Sequence, residues 1–208
     1  MKDYIKLRSE IMERLHQDLK DKRLLHTLGV ESTAIALARR YDADEQEASI
    51  AALLHDCAKY MPMEEQLDWI SKGEIGTRFP DIDQYPKLLH AFSGAEICAA
   101  EYPQLSEQVI DAIRFHTTGR SHMGLLEKII FSADYIEPGR VQFIGLQEAR
   151  EQTFDDLDAG VALILKQTIA YLEEQDQPCF VLTQEAYEFY KDQIPEDSTI
   201  ILENVLEV

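Results

Sequence analysis

Apolar residues along most of this chain recur every three or four positions with polar residues between them, the spacing of amphipathic helices. Ile5, Ile11, Met12, Leu15 and Leu19 form one such stripe. A second helix is predicted from Asp21 to about Tyr41, with Leu24, Leu28, Ala34, Ile35 and Leu37 facing inward. Asp44, followed three residues later by Glu47, is a capping pattern. The run behind it, Ala48-Ser49-Ile50-Ala51-Ala52-Leu53-Leu54, is apolar enough for a fully buried helix ending near His55. Pro62 opens a short helix through Trp69 and Ile70 that stops at Gly73. Between Gly73 and Pro86 Gly, Pro and Asp come at short intervals, so a loop is expected there. Further helices are predicted over Lys87–Glu101, Ser106–Phe115, Leu125–Ile136, Phe154–Glu174 and Gln184–Gln193. No β-α-β alternation interrupts them. The expected fold is all-α, a compact single-domain helical bundle over residues 1–194. An acidic tail, 195–208, follows, in which Thr199-Ile200-Ile201-Leu202 is patterned for a short extended segment.

Composition narrows the partners. The length, 208 residues, and the 45% of hydrophobic positions suit one ordinary core. Asp and Glu total 39 against 20 Lys and Arg, a net charge of −19. Such a chain is a poor partner for duplex nucleic acid or for an anionic membrane surface, both of which need clustered basic residues. A small anionic substrate is compatible only where cations dominate one local pocket. The start, Met1-Lys2-Asp3-Tyr4-Ile5, has no apolar signal segment, and no stretch reaches transmembrane length. Cys57, Cys98 and Cys179 are far apart, form no paired spacing and fit a reducing cytoplasm, which is the expected location.

The chemistry concentrates in histidines beside helix ends. His55-Asp56 closes the apolar run Ala51-Ala52-Leu53-Leu54, where two such side chains are expensive to bury without a partner. Lys59 follows at a spacing that puts it on their face of a helix. Asp134 closes a second apolar run, Ile129-Ile130-Phe131-Ser132-Ala133. With His26, His90 and His116 these residues make a set of imidazoles and carboxylates that calls for a cation. The ligand types suit iron, manganese, zinc or cobalt, and the lack of clustered cysteine disfavours a structural zinc site.

Five stretches in order resemble the HD superfamily of metal-dependent phosphohydrolases, and more narrowly its YqeK-type branch of symmetrical diadenosine-tetraphosphate hydrolases. They are Arg23-Leu24-Leu25-His26-Thr27-Leu28-Gly29-Val30, Ala52-Leu53-Leu54-His55-Asp56-Cys57-Ala58-Lys59, His90-Ala91-Phe92-Ser93-Gly94-Ala95, Ala112-Ile113-Arg114-Phe115-His116-Thr117-Thr118-Gly119 and Ala133-Asp134-Tyr135-Ile136-Glu137-Pro138-Gly139-Arg140. The resemblance implies an HD-type bundle and a two-metal centre, with iron as the metal. One ion would be held by His26, His55, Asp56 and Asp134, the other by His90 and His116, with Asp56 bridging. It implies metal-activated water that cleaves diadenosine tetraphosphate into two ADP, with Asp56 and Lys59 as catalytic residues. Substrate contacts are implied for His26, Lys59, His90, Thr117, Thr118, Gly119, Asp134, Tyr135, Ile136, Glu137 and Arg140. Lys59 and Arg140 are the expected phosphate clamps. A small nucleotide is thus the expected partner, with a homodimer as a compatible assembly. The alternatives are a broader nucleotide phosphohydrolase, acting on dNTPs, nucleoside monophosphates or alarmones, and a non-catalytic HD signalling module.

Overall fold

A computed structural model describes residues 2–194 of the chain, so the extended segment expected at 199–202 and the tail at 195–208 lie outside the described residues. In chain order the helices are α1 (Lys2–Asp18), α2 (Asp21–Arg40), α3 (Glu45–Leu54), α4 (Met63–Ser71), α5 (Glu74–Arg78), α6 (Leu89–Glu101), α7 (Glu107–Phe115), α8 (Leu125–Ile136), α9 (Leu146–Asp155), α10 (Leu157–Glu174) and α11 (Val181–Tyr190). No strand occurs among the described residues, and no described helix is long and apolar enough to cross a membrane. The all-helical bundle expected from the hydrophobic spacing is therefore the observed one.

The apolar run of α3 becomes the centre of the molecule. Every residue from Ala48 to Leu54 is buried, and α1, α2, α7 and α8 pack around it. Asp44 caps this helix as expected, its Oδ1 accepting from the N–H groups of Gln46 and Glu47 at 2.7 and 3.0 Å. Glu47 does not complete a reciprocal box; its carboxylate accepts instead from Ser106 Oγ, at 2.7 Å, and ties the start of α3 to the start of α7. Of the α1 stripe, Ile11, Leu15 and Leu19 are buried, while Ile5 is left exposed.

Four predicted segments differ. The stretch expected as a loop, 73–86, holds α5 and a 3₁₀ turn at Ile82–Gln84. Ile75 and Ile82 are the reason: both drop into a second small core with Ile70, Leu89, Phe92, Phe115, Phe180 and Leu182. The helix predicted over Phe154–Glu174 starts later, as α10 at Leu157, and Phe154 and Asp155 end the helix before it. Asp156 turns extended, with φ −139°, and caps α10 by accepting from Asp158 and Ala159 N–H at 2.9 and 3.1 Å. The helix before it, α9, was not predicted, because it buries only Leu146, Ala149 and Thr153 and so lacks a broad apolar stripe. α9 and α10 approach so closely that a Cβ on Gly160 would lie 2.6 Å from Thr153 Cα. The last predicted helix starts earlier, at Val181, and ends in a 3₁₀ turn over Lys191–Gln193. α6, expected from Lys87, begins at Leu89.

Candidate metal centre

The chain delivers four of its six histidines to one place, three of them by ending or starting helices there. His55 and His116 are the C-cap residues of α3 and α7. Each turns its ring back so that Nδ1 bonds a carbonyl three residues earlier, Ala52 O at 2.6 Å and Ile113 O at 2.7 Å. A carbonyl can only accept, so Nδ1 carries the proton and the Nε2 lone pair points inward. His26, on α2, follows the same pattern with a carboxylate: its Nδ1 lies 3.1 Å from Glu137 Oε1. His90, in the first turn of α6, has a cation beside it instead, with Lys59 Nζ 3.0 Å from Nε2. Lys59 reaches it from a run of turns that replaces the helix after Leu54.

Asp56 lies between the histidines and offers one oxygen to each pair. Its Oδ2 is 3.3 Å from His55 Nε2 and 3.8 Å from His26 Nε2. Its Oδ1 is 3.1 Å from His90 Nε2 and 4.0 Å from His116 Nε2. Asp134, in the last turn of α8, places Oδ1 3.1 Å from His26 Nε2 and 3.9 Å from His55 Nε2. Ligand atoms of His26, His55 and Asp134 all lie within 4.8 Å of one another, as do those of His55, Asp56 and His116. His90 belongs to neither of these groupings, yet its Nε2 stands only 3.3 Å from that of His116.

The residues fit a cation. His26 Nε2, His55 Nε2 and Asp56 Oδ1 are buried without a hydrogen-bond partner. Unpartnered buried polar atoms are costly, and three of them converging is a donor set, not a packing accident. The electrostatics agree. Burial, together with the neighbouring His55 and His90, pushes His116 down to about 3. Burial likewise lowers His90. For His55 burial pulls the same way but the Asp56 charge outweighs it, and the ring ends above its ordinary value. Burial alone would raise both carboxyls. His55 and His90 instead hold Asp56 well below the usual carboxylate range, and His26 and Arg140 do the same for Asp134. Ionised carboxylates beside the neutral imidazoles of His90 and His116 are in the protonation state that binds metal.

Around this set stand three cations, each in contact with a carboxylate of the centre. Arg140 NH2 lies 2.6 Å from Asp134 Oδ1, and Lys59 Nζ 3.6 Å from Asp56 Oδ1. The third, Arg23, donates to Asp56 Oδ2 at 2.6 Å. Sequence reasoning gave Arg23 no role; the available signal was its position three residues before His26, which puts both on one face of α2.

The remaining expected substrate contacts are placed differently. Thr118 is fully buried and its hydroxyl donates to Gly119 O. Gly119 takes a left-handed conformation, φ +61°, hemmed in by the side chains of Met123, Ala186 and Leu165. Ile136 belongs to the main core. The Tyr135 hydroxyl donates to Gln167 Oε1 at 2.9 Å, and Glu137 is buried behind His26. These side chains turn into the protein because the short segments carrying them serve as helix termini packed on the core. Thr117 Oγ1 is buried and has no partner.

Comparison with known proteins agrees with this geometry. The HD domain family matches residues 23–139. The symmetrical bis(5'-nucleosyl)-tetraphosphatase of Bacillus subtilis (strain 168) is 41% identical over 173 residues, 83% of this chain and 91% of that protein. A protein of the same description from Halalkalibacterium halodurans is 42% identical over 181 residues, 86% and 95% of the two chains. A crystal structure from Clostridium acetobutylicum, described as a predicted HD superfamily hydrolase involved in NAD metabolism, superposes with a TM-score of 0.81 at 37% identity, over 89% of this chain and 97% of that one. The chain belongs to the HD-domain family and, within it, to the symmetrical bis(5'-nucleosyl)-tetraphosphatases.

Proposed function

We propose that this protein hydrolyses diadenosine tetraphosphate between its two middle phosphates, releasing two ADP, with two divalent transition-metal ions. An HD domain implies divalent-metal dependence, and the His/Asp groups of this chain are compatible with it. The observation that carries the two-ion reading is Asp56, whose two oxygens face two different histidine pairs. One position would be held by His26, His55, Asp56 and Asp134, the other by His90, His116 and the second oxygen of Asp56. Imidazole and carboxylate donors favour iron, manganese, cobalt or zinc, and the family resemblance favours iron. Bound there, such ions supply an acidified water and neutralise charge on the attacked phosphate.

The chain's own residues do the rest. Arg23, Lys59 and Arg140 surround the centre with positive charge in a molecule that is otherwise strongly acidic, and so mark where a polyphosphate is held. An ammonium cannot coordinate a metal, so Lys59 acts on the negative oxygens of the phosphate being transferred. Asp56, buried and ionised, fixes both halves of the centre relative to each other. Thr117 is the polar group of its turn left over for a ligand. All six ligand positions are retained, which favours an enzyme over a non-catalytic HD module. A cytoplasmic protein acting on a small nucleotide, alone or as a homodimer, is consistent with this reading.

Incubating purified protein with diadenosine tetraphosphate and separating the nucleotides tests it. ADP is expected as the sole product. Equimolar ATP and AMP would reject cleavage at the middle bond, and absence of turnover with any of the four metals would reject the hydrolase reading.

A further inference from the structure

The carboxylate behind His26 occupies a space that two absent side chains leave for it. Glu137 directly follows α8 and is 2% exposed. Its Oε1 lies 3.1 Å from His26 Nδ1, and the Gly139 N–H donates to its Oε2. Gly29 lies one turn along α2 from His26, and a Cβ there would overlap Glu137 Oε2. A Cβ on Gly139 would stand 2.9 Å from the same oxygen. The backbone is pinned as well, since Arg150 donates to the carbonyls of Ile136 and Glu137, each at 2.9 Å. Glycine inside a helix is unfavourable relative to alanine, so Gly29 in mid-α2 marks a steric requirement.

We propose that Glu137 is a positioning residue, held in a cradle formed by Gly29 and Gly139, which orients His26 and keeps the proton on Nδ1. Nε2 then stays bare and aimed at Asp134 and Asp56. The role rests on the metal-centre reading above, and it replaces a contact between Glu137 and substrate. Gly29→Ala, which adds a methyl group that touches no ligand, acts on the centre by displacing the Glu137 carboxylate. Glu137→Gln keeps the bulk but has only one oxygen, so either His26 or the Gly139 N–H loses its acceptor.

The test uses zinc-loaded protein and two readouts besides turnover. In the parent, the His26 Nδ1–H proton is expected as a sharp, exchange-protected signal in ¹H–¹⁵N spectra. One of two zinc ions is expected to leave roughly 10–100-fold faster under chelator in Glu137→Ala, the range for losing a carboxylate that supports a ligand histidine. Gly29→Ala is expected to lose the protected signal and the metal in the same way while keeping the parent's helical circular-dichroism spectrum. Glu137→Gln is expected between them. A protected His26 signal and parent-like metal retention in Glu137→Ala overturn the proposal. So does a raised KM with both metals retained, since that is what a substrate contact gives. A parent that binds no zinc defeats the metal-centre reading instead, and the imidazole spectra still decide the role of Glu137.

Discussion

Replacing Lys59 by Met separates charge from shape at the centre. Met keeps most of the lysine stem and removes only the ammonium. In the structure Nζ stands 3.6 Å from Asp56 Oδ1, and the side chain is 31% exposed. A phosphate oxygen held at a similar distance interacts with a full charge by about 4.6 kcal/mol at an effective dielectric of about 20. The transferred group gains only part of a charge on reaching the transition state, and the exposed flank of Lys59 screens the interaction further. Roughly 2–3 kcal/mol of barrier remains, which corresponds to about a 30- to 150-fold fall in kcat. Steady-state hydrolysis of diadenosine tetraphosphate measures it, with elemental analysis and a thermal melt on the same preparation. Metal content and melting temperature are expected to stay at the parent values. Turnover within three-fold of the parent refutes the clamp, and loss of metal alongside activity shows that Lys59 supports His90 instead.

Two further outcomes follow from geometry. Asp56→Ala is expected to lose metal at both positions because each carboxylate oxygen faces a separate histidine pair, whereas His116→Ala empties mainly one; metal per chain after gel filtration without chelator distinguishes them, and equal losses would contradict a bridging Asp56. Gly160→Ala forces a methyl group against the Thr153 backbone and is expected to cost about 1–3 kcal/mol, the range for overpacking. For a chain of this size that lowers the melting temperature by roughly 2–12 °C, and an unchanged melt would show that α9 can shift away from α10 at no cost.

The hydrophobic spacing was enough for α1 to α4, α7 and α8, because each buries a stripe that repeats over several turns. It failed where few residues carry the burial. α5 is short and is held by Ile75 alone, and α9 by three scattered positions, so their helicity comes from neighbours that sequence spacing does not reveal. The break at Asp156 was hidden because apolar residues continue on both sides of it. In the site the ligand types stood out as charged or titratable groups closing apolar helices, a pattern that burial makes expensive. What lies behind the ligands was less readable. Glu137, Thr118 and Gly119 sit in the same stretches as the ligands, and only the direction of each side chain separates a support from a contact. Arg23 carried no such cost, since a half-exposed arginine in the first turn of a helix is ordinary.

The way the helices meet the centre also couples metal binding to nucleotide binding. α3 and α7 enter with their C-terminal ends, and α8 contributes Asp134 from its last turn. Each such end adds a partial negative charge, about half an elementary charge, to the two ionised carboxylates already there. These negative charges offset most of what Arg23, Lys59 and Arg140 contribute, so the proposed metals would supply the surplus positive charge that holds a tetraphosphate. Metal binding would then strengthen nucleotide binding. Because binding couplings are reciprocal, a bound nucleotide must in turn hold the metals more tightly by the same factor. With the proposed metals bound, the enzyme would resist metal loss most when substrate is plentiful and least when idle.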